Sequence, residues 1–123
     1  MSARLTVRQV DQVTVVDAAG RITLSEGVGS MRDQVSELLK AGKSKILLNL
    51  GEVSYVDSAA ICELVSAFIS VTNRGGQLKL LNLTKKVKGL LLITKLYTVF
   101  DVFDSEIIAT AAFAPLLRNR RHR

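Results

Sequence analysis

Asp57 and Ser58 are the residues of this chain best placed to take part in chemistry. They lie in the run Asn49-Leu50-Gly51-Glu52-Val53-Ser54-Tyr55-Val56-Asp57-Ser58-Ala59-Ala60, which reads as a buried strand, a short loop and the opening of a helix. An aspartate at such a junction accepts the first free N–H groups of the helix. A serine hydroxyl next to it sits on the positive end of the helix and near the surface. A modifying enzyme can reach it there, and an added phosphate would recast the local charge. The plainer alternative is that both residues only cap the helix, since Ser and Asp are common there for that reason alone.

Other chemistries lack their residues. His122 is the only histidine and lies in the basic C-terminal segment, so no Ser-His or Cys-His pair is expected in the folded body. One cysteine, Cys62, and that one histidine cannot make a first metal shell, and no internal disulfide is possible. Glu52, Asp57 and Glu63 are few and are not expected to share a cleft. Cys62 stands four residues after Ser58 and so shares its helix face, yet it reads as a small packed thiol. No Lys, Arg or His lies close in sequence to lower its pKa. Gly42-Lys43-Ser44 imitates the end of a phosphate loop, but Glu37 stands where that loop needs glycine, and a strand follows where a helix should. Gly27-Val28-Gly29 lacks the third glycine of a dinucleotide fingerprint. The chain reads as a binding protein that is itself acted upon, not an enzyme, with no cofactor and no metal.

The elements that must position Ser58 follow from periodicity. Lys45 to Leu50 is nearly unbroken in apolar residues, the mark of a strand covered on both faces. After Ser58, the residues Ile61, Leu64, Val65, Phe68 and Thr72 recur at helical spacing, and Gly75-Gly76 ends that helix. Upstream, Leu5 to Val10 and Gln12 to Asp17 suggest a hairpin turning at Asp11, ended by Ala18-Ala19-Gly20, with Arg21-Ile22-Thr23 as a third extended piece. Ser25 caps a helix whose inner stripe is Val28, Met31, Val35, Leu38 and Leu39, and Gly42 ends it. Downstream come a strand at Gln77 to Leu81 and a short helix started by Asn82 or Thr84 and running through Thr94, with Val87, Leu90 and Leu91 inward. A last strand over Tyr97 to Phe103 and a helix capped by Asp104 or Ser105 complete the series, with Pro115 as its stop.

Bulk properties agree with one α/β domain. A chain of 123 residues, 48% of them hydrophobic, can bury a sizeable core. No apolar stretch approaches the roughly 18 residues of a membrane span. Met1-Ser2-Ala3-Arg4-Leu5-Thr6 lacks the apolar core of a secretion signal. A lone cysteine fits a reducing compartment, so the expectation is cytoplasmic. The net charge of +6 does not point to nucleic acid, because Arg118, Arg120, Arg121 and Arg123 supply four of those charges and leave only +2 elsewhere. Lys85, Lys86 and Lys88 alternate with apolar positions and read as the wet face of their helix, with no interleaved aromatics for stacking bases. Residues 1–114 are expected to form the domain and 115–123 a basic, disordered tail.

This order of elements resembles the STAS domain, shared by bacterial anti-sigma-factor antagonists and the cytoplasmic tails of sulfate transporters. The resemblance runs from about Leu5 to Phe113 and is strongest to the stand-alone antagonists. It is carried by Val53-Ser54-Tyr55-Val56-Asp57-Ser58, by Asn73-Arg74-Gly75-Gly76-Gln77-Leu78, and by Leu80-Leu81-Asn82-Leu83 followed by Ile93-Thr94-Lys95-Leu96. Gly20-Arg21-Ile22 matches the family's glycine-led turn.

The resemblance implies a mixed sheet of four to five strands packed with about four helices. It also implies partner switching. In the family an unmodified antagonist binds an anti-sigma factor that is also a serine kinase, and so frees the sigma factor. The kinase then phosphorylates the serine that follows the motif's Asp, here Ser58, and a serine phosphatase resets it. The implied partner surface comprises Arg21, Thr23, Ser54, Tyr55, Val56, Asp57, Ser58, Ala59 and Glu63. Glu63 is expected to face water. Ala60 stands where the family usually has glycine, adding a methyl group to the first helical turn, and Thr23 stands where many antagonists carry a carboxylate. The protein is expected to act as a monomer or weak dimer. The alternative implied by the same family is a STAS module that binds without phosphate control, for example an accessory subunit of a membrane transporter.

Overall fold

Ile46, Leu47 and Leu48 are each at most 1% exposed, and they alternate between two cores. Ile46 and Leu48 belong to the larger cluster, with Val16, Leu80, Ile61, Leu64 and Leu91. Leu47 belongs to the smaller one, with Val15, Leu81, Ala109 and Phe113. A strand buried on both faces has no polar side to show, which is why this stretch of sequence is continuously apolar.

The computed structural model describes residues 4–23 and 28–113. Five strands form one sheet in the order β1-β2-β3-β4-β5: β1 Arg4–Val10, β2 Val13–Ile22, β3 Lys45–Val56, β4 Gln77–Leu81 and β5 Val102–Phe103. The β1–β2 hairpin is antiparallel and turns at Asp11, while the other three pairings are parallel. The helices are α1 Val28–Lys40, α2 Ser58–Asn73, α3 Lys85–Ile93 and α4 Glu106–Ala111. Buried residues of α1, α2 and α3 fill the larger core, and Ala109 of α4 closes the smaller core on the other face. The expected α/β class, mixed sheet and four helices are all present. Ser25, Val28 as a core residue, the stop at Pro115 and the tail beyond it lie outside the described residues.

Four expectations need correction. The second strand does not end at Gly20. Instead β2 runs on to Ile22, with register shifts between Asp17 and Ala19 and between Gly20 and Arg21. Both shifts put the extra residue on β3, which is the bulged strand, and Gly20 of β2 takes φ +93° between them. The first consequence is that Arg21-Ile22 continue β2 and are not a separate piece. Second, β3 does not stop at Leu50 but extends to Val56, because Val53 and Val56 point inward and β2 pairs alongside as far as Ile22↔Val56.

Third, the run Tyr97 to Phe103 is mostly not strand. Tyr97–Val99 form a 3₁₀ turn and only Val102–Phe103 pair with β4. The aromatic residues there act as single anchors: Phe100 is buried and meets Phe68 edge-to-face at 5.3 Å. Fourth, the fully buried stripe of α2 is Ala60, Ile61, Leu64, Ala67 and Val71, with the expected Val65 and Phe68 partly buried against the same core, and Thr72 is exposed. The stripe is therefore rotated slightly from the one expected. That rotation also exposes Cys62, which is not packed. Among the open choices, Thr84 caps α3, accepting from the Val87 N–H at 3.3 Å, and Ser105 caps α4. Gly75, at φ +78°, turns the chain after α2, and a Cβ on Gly76 would lie 2.3 Å from the Ser44 carbonyl.

Candidate functional site

The site is built where β3 hands over to α2. Asp57 is the N-cap, extended in backbone, and its Oδ1 accepts the Ala60 N–H at 2.9 Å. The Asp57 carbonyl accepts from Ile61 at 3.1 Å, so the first turn is held from both side chain and backbone. This fixes Ser58 as the first helical residue, and its side chain is exposed. The hydroxyl therefore stands open to solvent at the positive end of a helix of 16 residues. Ala60, by contrast, is 2% exposed and packs into the larger core. Its methyl group points inward and does not obstruct an approach to Ser58.

Ser58 lines a shallow groove of about 470 Å³ between the end of β3, the start of α2 and one face of α3. Tyr55, Val56 and Asp57 form one bank, and Lys85, Lys86, Gly89, Leu90 and Ile93 form the other. Tyr55 is 37% exposed and two cations lie against its ring: the Arg21 guanidinium carbon at 4.8 Å and Lys86 Nζ at 5.6 Å from the centroid. Arg21 reaches the ring because the bulge at Ser54 in β3 brings Tyr55 opposite it in register. Cation–π contacts of this kind orient an aromatic side chain without burying it.

The sequence-predicted surface divides in two. Arg21, Ser54, Tyr55 and Ser58 are exposed together, and Asp57 and Ala59 are half-buried beside them. Thr23 and Val56 lie beneath this surface at 6% and 8% exposure, because both sit at strand ends that close over the core. Glu63 turns toward α1 instead of facing water, with Oε2 paired to Arg32 at 3.3 Å and Oε1 buried without a partner among the described residues. Sequence reasoning missed Lys85, Lys86, Leu90 and Ile93. The only sequence signal was the cluster of lysines opening a helix, which says nothing of what the helix faces. A second groove of similar size lies between α1 and α2, lined by Arg32, Ser36, Ser66 and Arg74, and contains none of the predicted site residues.

Comparison with known proteins agrees with this architecture. The family model of the STAS domain matches residues 4–109. The anti-sigma-B factor antagonist of Bacillus subtilis is 30% identical over 102 residues, covering 83% of this chain and 92% of that one. An anti-sigma factor antagonist from Mycobacterium paratuberculosis superposes with a TM-score of 0.81 at 15% identity, over 91% of this chain and 94% of its own. The unphosphorylated form of the anti-sigma factor antagonist SpoIIAA gives 0.75 at 17% identity, over 94% and 97%. The phosphorylated form, from Bacillus, gives 0.70 at 17% identity, over 88% and 97%.

Proposed function

This chain belongs to the STAS domain family, and from that premise we propose that it is an anti-sigma-factor antagonist gated by phosphorylation of Ser58. The observation that carries the proposal is an exposed hydroxyl held rigidly by a capped helix, at the edge of a groove with an aromatic residue and apolar side chains. In its unmodified form the surface around Tyr55 and Ser58 binds an anti-sigma factor of the serine-kinase type, and the sigma factor is released. Arg21, Ser54, Asp57 and Ala59 frame that contact. The kinase moves the γ-phosphoryl group of ATP onto Ser58 Oγ; the hydroxyl proton is lost and ADP leaves. A serine phosphatase hydrolyses the ester and restores the binding form.

The charge change is sufficient in size. Phosphate replaces a neutral hydroxyl by roughly −1.5 to −2 charges at neutral pH. At a helix N-terminus that charge is tolerated, so the fold survives. SpoIIAA, which shares the fold, has been solved in both phosphorylated and unphosphorylated forms. Within an interface the same charge must be desolvated. A penalty of roughly 3–4 kcal/mol weakens binding by two to three decades.

In this reading the chain is a substrate and a ligand, with no catalysis of its own, and it works in the cytoplasm. Among the described residues no helix is long and apolar enough to cross a membrane. Incubation with the cognate kinase and ATP, followed by mass spectrometry, tests the gate. Wild type should gain one phosphoryl group and Ser58→Ala none. An unchanged mass for wild type would remove the regulated form of the proposal.

A further inference from the structure

Lys85 and Lys86 open α3 on the bank of the groove opposite Ser58. Both are exposed, and the ion pairs among the described residues use neither. The contact of Lys86 with the Tyr55 ring is of the weak, exposed cation–π kind and gives way readily to a charged partner. Asp57, the cap that precedes α2, also lines the groove, and the Arg21 guanidinium of β2 lies over the Tyr55 ring. A phosphate on Ser58 thus enters a groove whose opposite bank carries two lysines.

We propose that the phosphoryl group on Ser58 is held in cis by Lys85 and Lys86, so that phosphorylation withdraws two cations from the binding surface as well as adding negative charge. The inference rests on the reading of Ser58 as the modified residue. Two lysines nearly match the roughly −1.5 to −2 charges of the phosphate. Ammonium–phosphate hydrogen bonds are charge-assisted and stronger than the contacts they replace. An acidic segment of the partner that had used those lysines then loses them at the moment the serine is modified. Repulsion alone predicts the opposite role for the lysines, as mere softeners of the phosphate's effect.

Phosphoserine installed genetically at position 58 tests the pairing without requiring any kinase to recognise the site. Phosphorus NMR titration should place the second ionisation of the phosphate below its ordinary value of about 6. In the Lys85→Gln/Lys86→Gln variant the midpoint should move up by about 0.5 pH unit or more. The α2 N-terminus, Asp57 and Arg21 act on both proteins, so the difference isolates the two lysines. Equal midpoints, or a lower one in the variant, would overturn the proposal. Mass spectrometry after kinase treatment tests the phosphosite reading separately, and a failure there leaves this measurement intact.

Discussion

Two clusters of charge in this molecule are built on opposite rules. Where β1, β2 and α4 meet, Arg8 donates to Asp17 and, through two nitrogens at 2.6 and 2.9 Å, to both oxygens of Glu106. Asn49 adds a further donor to Asp17 at 2.8 Å. The Arg8 guanidinium holds the carboxyls of Asp17 and Glu106 below their ordinary range, and the carboxylates in turn hold Arg8 charged. Where β3, α2 and α3 meet, Lys85 and Lys86 instead share a groove with a neutral hydroxyl. Saturated charge ties elements together and leaves no room for a signal. Unsaturated cations beside an exposed hydroxyl leave the surface open, as the proposed phosphorylation of Ser58 requires.

The comparison can be broken first at the saturated cluster, where the effect on stability should be largest. Arg8→Met strands two carboxylates and is expected to cost about 1–2 kcal/mol; the groups are about a third exposed, so solvent keeps the figure well below that of a buried pair. Urea denaturation reads it, and binding of the anti-sigma factor should be unchanged in the folded variant. Asp57→Ala removes the α2 cap and should cost about 1 kcal/mol by the same measurement. It should also weaken partner binding, since Ser58 loses its fixed position.

Acid sharpens the contrast further. Asp17 and Glu106 have depressed folded pKa values, so their contribution is present above the unfolded carboxylate range of about 4 and is lost as pH falls through the folded values. The stability gap between wild type and Arg8→Met should therefore be full at neutral pH and close in acid. The smallest effect belongs to the open cluster. Lys85→Gln/Lys86→Gln should change stability by no more than about 0.5 kcal/mol, because the lysines make no ion pair among the described residues. A large loss there would mean that these lysines are structural after all.

The contrast also marks how far the primary sequence could be read. Strand β3, the stripe of α1 from Met31 to Leu39, and the Asp57 cap were legible because each is a local pattern of burial or capping. The extension of β3 to Val56 was hidden by Gly51 and Glu52, which look like loop; the strand continues because β2 resumes pairing at Ala19↔Glu52 after a register shift. The 3₁₀ turn at Tyr97 was hidden by residues of high β-propensity that pack singly and not in a ladder. The exposed position of Ser58 at the start of α2 was legible from its neighbours. Its groove was not, since Lys85 and Lys86 lie 27 and 28 residues away and reach it only once the chain has crossed through β4.

Titrating the cognate anti-sigma factor into this protein, with Ser58 unmodified and with phosphoserine at that position, tests the proposed gate most directly. The predicted result is a fall of about 100- to 1,000-fold in affinity, with the folded state retained by circular dichroism. Equal affinity of both forms, in a chain whose modification at Ser58 has been verified by mass, would contradict it.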